Sequence, residues 1–117
     1  MARNHLPRLH DILQMLDEVA NLTAGLDLSS YAADFKVRRA VERCIEIVSE
    51  ASRHIPTDDK TAFDDVPWRD IAGIGNILRH EYQRVADPVV WFTATRSLPA
   101  LRPVIERMIA DHASRGS

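Results

Sequence analysis

The chain has 117 residues, 45% of them hydrophobic, one cysteine and a formal net charge of −2. That length reads as one domain over residues 1–117, with apolar material enough for a core that needs neither a metal nor a disulfide. The lone Cys44 excludes an internal disulfide and fits a reducing compartment, the acidic balance argues against a dedicated duplex-DNA binder, and no signal-peptide core or bilayer-length apolar run is visible. The sequence therefore reads as cytoplasmic, with no membrane partner.

Helical spacing of apolar residues recurs throughout, and strand-like alternation is absent. The first helix is predicted from about Pro7 to Ala24, on the stripe Leu9, Ile12, Leu13, Leu16, Val19 and Ala20, with Gly25 as its C-terminal stop. A second helix is predicted from Ser29 or Ser30 to about His54, striped by Val37, Val41, Cys44, Ile45, Val48, Ala51 and Ile55. Its outer face pairs opposite charges three or four residues apart: Arg38 or Arg39 with Glu42, Arg43 with Glu46, Glu50 with Arg53. Most of these charges read as a solvated face. Pro56 closes the helix, and residues 57–65 read as a polar loop.

A third helix is predicted from about Val66, with Asp64 or Asp65 near its cap, Pro67 in its first turn, and the stripe Ile71, Ile74, Leu78, Tyr82 and Val85. Asp87-Pro88 signals the start of a fourth. Trp91, Ala94, Leu98, Leu101, Ile105 and Met108 follow in a heptad-like rhythm that Pro99 and Pro103 interrupt, so a break or kink is expected near Ser97, where serine could cap a restarted helix. Residues 113–117 are expected to fray. The fold class is all-α, an antiparallel bundle of four to five helices.

The chemistry-bearing residues cluster in the third helix. Tyr82 falls in phase with the apolar stripe. His80 falls on another face with Arg69, Gly73 and Asn76, and on spacing alone it is a surface histidine beside a core tyrosine. Asn76 lies one turn before His80, where its amide could fix the imidazole tautomer or hold a phosphate or ribose. Gly73 and Gly75 each cost about 1 kcal/mol against alanine in a helix. Close approach of another helix or subunit, a local break, or a phosphate cradle would each account for them. The five histidines show no metal-ligand spacing, so no metal or cofactor is expected. Local basic patches, Arg38-Arg39 and Arg79 to Arg84, are the candidates for phosphate contact.

The segment from Val66 to Tyr82, VPWRDIAGIGNILRHEY, resembles the signature of HepT-like proteins of the HEPN superfamily. The Arg-rich start of the second helix, Glu50-Ala51 near its end, and Pro88 to Trp91 followed by Leu98-Pro99 extend the resemblance over nearly the whole chain. The family motif is Arg, four residues, His, one residue, Tyr, with Asn commonly after the Arg. Asn76, His80 and Tyr82 match it, whereas the Arg position is Gly75. The resemblance implies a HEPN-like bundle and a metal-independent endoribonuclease toxin acting as a homodimer. It also implies a nucleotidyltransferase antitoxin that silences the toxin by adding AMP to Tyr82. In that scheme His80, Arg79 and Asn76 are the catalytic candidates, Arg38, Arg39 and Arg84 the RNA-contacting ones, and Arg79 could reach back over Gly75 or serve the other subunit. The alternative is a dimeric binding module that lost cleavage with the motif Arg.

Overall fold

The computed structural model describes residues 5–81 and 86–116. Helix α1 spans Leu6–Thr23, with Leu9, Ile12, Leu16 and Val19 buried, while Ala20 at the edge of the expected stripe is exposed. Gly25 follows the C-cap at φ +77°, the left-handed conformation that glycine adopts without steric cost.

The predicted second helix is two helices. Asp27, not Ser29 or Ser30, caps α2 (Leu28–Ala33) through a capping box with Ser30. The chain then turns extended at Asp34, whose carboxylate accepts from the Val37 amide and starts α3 (Phe35–Ser52). An aspartate that satisfies an orphan amide can divide an apparently continuous helical pattern. The expected stripe of α3 is realised: Val41, Cys44, Ile45, Val48, Ala51 and, beyond its end, Ile55 are buried. Two expected charge pairs form, Arg39 with Glu42 at 2.6 Å and Arg43 with Glu46 at 3.8 Å. The other two are replaced: Arg38 faces Asp87 at 3.9 Å, and Arg53 donates to the Ala72 carbonyl at 2.7 Å.

Pro56 precedes a short helix, α4 (Thr57–Thr61), within the expected loop. Helix α5 spans Trp68–Glu81, and the Trp68 indole donates back to the Phe63 carbonyl at 3.1 Å. Tyr82 and Val85 of the expected stripe lie outside the described residues. Helix α6 (Asp87–Phe92) starts one residue earlier than a cap at Asp87 would give, because Ala86 takes the cap position.

The irregularity expected near Ser97 takes the form of a widened turn and not a break. Residues 93–97 form a π turn in which the Leu98 amide donates to the Thr93 carbonyl, and α7 (Leu98–Gly116) continues into the segment expected to fray, of which Ser117 lies outside the described residues. A proline ring collides with the carbonyl four residues before it. For Pro99 that carbonyl belongs to Thr95, inside the wider turn, so the helix absorbs the proline by widening instead of stopping.

Among the described residues all regular structure is helical. Helices α1 and α3 pack together at the centre, α7 lies against α1, and α5 lies against α3. Four long rods joined by short helices and turns make the all-α bundle that the periodicity predicts. No helix of the described residues is long and apolar enough to cross a membrane.

The α3–α5 seam explains one of the two helix glycines. Gly75 is buried, and a Cβ there would lie 2.3 Å from Ser49 Oγ and 2.4 Å from Ser49 Cβ. Gly73 has open space on its Cβ side. Gly75→Ala should therefore destabilise the protein by about 1–3 kcal/mol through overpacking, despite alanine's better helix propensity. Gly73→Ala should stabilise it by about 0.5–1 kcal/mol. Denaturant melts of both variants check this. Pairing Gly75→Ala with Ser49→Gly should cost at least about 1 kcal/mol less than the two single losses summed.

Candidate functional site

The site begins with the rotation of α5 about its axis. On α3, Ser49 Oγ donates to the Ala72 carbonyl at 2.8 Å, and Arg53 Nη2 donates to the same oxygen at 2.7 Å. A carbonyl oxygen has two lone pairs, so it can accept from beyond its own helix. Ala72 and Gly75 are the small residues on this line, and they let α5 settle close to α3. With that face fixed inward, Asn76, Arg79 and His80 come out exposed. Ile77 between them is 43% exposed.

Asn76 and His80 share a face one turn apart, as their spacing predicts. Neither makes a side-chain hydrogen bond or ion pair within the described residues. The tautomer-fixing bond from Asn76 to His80 is therefore not formed, and both polar ends are open to a ligand. Arg79 cannot occupy the space beside Gly75, because Ser49 fills it. It lines an open groove of about 460 Å³ with Leu78 of α5 and Phe35, Arg39, Glu42 and Glu46 of α3.

The opposite wall carries Arg39, one of the expected RNA contacts, and Arg38, another, stands beside it without lining the groove. Arg39 is held by Glu42 and lies 4.9 Å from the centre of the Phe35 ring; Arg38 lies 5.7 Å from it. Arg84 and Tyr82 lie outside the described residues. The fold thus brings Arg38, Arg39 and Arg79 to one end of the α3–α5 pair, with His80 next to Arg79 on the rim. Phe35 is absent from the sequence expectation because the chain reads there as the middle of a helix. The aspartate directly before it was the available sign of a helix start.

Among the described residues, two buried polar atoms near this end have no hydrogen-bond partner, Tyr31 Oη and Arg38 Nε. Burial pushes the Tyr31 phenol well above its ordinary range, helped by Glu42 and Asp87 and opposed by Arg38 and Arg39. The ring itself packs on Trp91, centroids 5.2 Å apart. Cys44 is buried in the core, and burial raises its thiol, as the Glu18 charge does, so it is held in its unreactive form. Because the Tyr31 hydroxyl is desolvated without compensation, Tyr31→Phe should leave stability unchanged or raise it by up to about 1 kcal/mol. Thermal unfolding of the two proteins measures this.

With this geometry in place, comparison with known proteins is informative. The family model for HepT-like ribonucleases matches residues 12–108. A Methanocaldococcus jannaschii protein named as a candidate RNase is 32% identical over 103 residues, covering 88% of this chain and 89% of its own. A second from that organism, named in the same way, is 33% identical over 98 residues, covering 84% and 90%. A Thermococcus cleftensis protein named probable ribonuclease HepT is 32% identical over 108 residues, covering 92% and 98%. No solved structure matches the chain.

Proposed function

The chain belongs to the HepT-like ribonuclease family, and on that premise we propose that it is the toxin of a toxin–antitoxin pair, a metal-independent endoribonuclease. It works in the cytoplasm as a homodimer, the 117 residues forming one catalytic domain in each copy. The observation that carries the reading is the exposed pair Asn76 and His80, without a side-chain partner among the described residues, beside Arg79. Polar groups exposed on a helix are available to a substrate.

The chemistry follows from RNA itself. His80 takes the proton of a ribose 2′-hydroxyl, whose oxygen attacks the adjacent phosphorus. The O2′–P bond forms, the P–O5′ bond breaks, and the leaving 5′-oxygen takes a proton from water or from the second copy's imidazole. Arg79 neutralises the charge that gathers on the phosphoryl oxygens, in place of the motif Arg. One such donor is worth about 2.7–4 kcal/mol of barrier. Asn76 positions the ribose or phosphate. A two-fold interface along the outer face of α5 would bring two His80 residues to one cleft.

His80→Ala should abolish cleavage, and Arg79→Ala should slow it by about 10²–10³-fold. Both residues are exposed, so stability should change by under about 0.5 kcal/mol in each. Gel-resolved cleavage of total RNA reads the first effect, and thermal melts read the second. Gly75→Arg is expected to loosen the α3–α5 seam without raising activity, because the new side chain would start against Ser49. That packing also supports the second reading, a dimeric binding module whose helix seam has replaced the motif Arg. Wild-type protein that leaves every RNA intact would establish the module and reject the ribonuclease.

The partner is a nucleotidyltransferase antitoxin that attaches AMP to Tyr82. Incubation with that enzyme and ATP should raise the intact mass by whole AMP units in the wild type and not in Tyr82→Phe. A gain that persists in the variant places the label elsewhere.

A further inference from the structure

Phe35 is a large apolar side chain left 60% exposed, at the first position of α3. It lines the same groove as Arg79. Arg39 and Arg38 approach its ring within cation–π range, at 4.9 and 5.7 Å. Glu42 and Glu46 also line the groove, but each already faces an arginine. Arg79, on the other wall, has no ion pair within the described residues.

The chemistry of this groove selects its occupant. Its lining combines one exposed aromatic face and one buried leucine with four charged side chains. An apolar protein segment would have to desolvate those charges without pairing them, which is costly. A nucleotide brings a flat π surface and an anionic phosphate on one scaffold. Single-stranded RNA is bound in this way, its bases stacked on aromatic rings and guanidinium planes and its backbone tracked by cations.

We propose that Phe35 is the stacking platform for one base of single-stranded RNA, with the neighbouring phosphate held between Arg39 and Arg79. The inference rests on the ribonuclease reading, since it places that base beside the nucleotide presented to His80. Phe35 acts by positioning: it touches a flanking base and no reacting atom.

The test uses the full-length protein and short RNAs made uncleavable by 2′-O-methyl groups, with binding read by fluorescence anisotropy. Phe35→Ala should bind roughly 5- to 100-fold more weakly than wild type, and Phe35→Trp should retain binding. Removing one base at a time from the RNA adds a positional readout. At one position the abasic RNA should lose affinity for the wild type and lose none for Phe35→Ala. In Phe35→Trp, RNA should quench the new indole fluorescence. Equal affinity of Phe35→Ala and wild type, or equal sensitivity of both to every abasic position, would overturn the platform while cleavage by the wild type keeps the ribonuclease reading intact. A Phe35→Ala protein that light scattering shows as a monomer, against a dimeric wild type, would assign the ring to the contact between copies and also overturn it. Wild type that neither binds nor cuts RNA overturns both readings together.

Discussion

The seam between α3 and α5 sets everything that the site can do. A helix that touches mainly one neighbour is free to roll unless something fixes its angle. Here a buried glycine removes the one Cβ that would hold the two backbones apart, and two donors from α3 converge on a single carbonyl. The arrangement is directional as well as close, since hydrogen bonds fix angle where apolar contact alone fixes only distance. The outward set of polar residues follows from that fixed roll.

The same seam gives a physical meaning to the glycine in the family motif. As a sequence, a missing arginine reads as a lost catalytic group. In the folded chain the position is buried against Ser49, so the question moves from what was lost to what the helix gained by closer approach. Arg79 occupies an open groove instead of the space at Gly75. Charge is therefore available near His80 by a route that does not pass through the motif position.

The bulk of the fold was legible because burial is periodic. The stripes of the first helix, of α3 and of the last helix name nearly all of the core found there. What escaped was local chemistry. Asp34 splits a helix because its carboxylate competes for a backbone amide, and no periodicity records that. Pro99 was read as forcing a break or kink, and a wider turn accommodates it. The candidate site was legible in its members, His80, Asn76 and Arg79, because they share one helix. Phe35, Ser49 and Arg53 were not, because their roles depend on a neighbour distant in sequence. Tyr82, the proposed site of modification, and Arg84, a proposed RNA contact, lie outside the described residues.

The π turn at residues 93–97 carries a consequence of another kind. A hydrogen bond that spans five residues instead of four accommodates one extra residue in the rod, and each residue of an α-helix advances the azimuth by about 100°. The buried stripe nevertheless runs through the turn at spacings of three and four, from Val90, Ala94 and Leu98 to Leu101, Ile105 and Met108. The wide turn thus alters the rod's local hydrogen bonding and not the face that it buries.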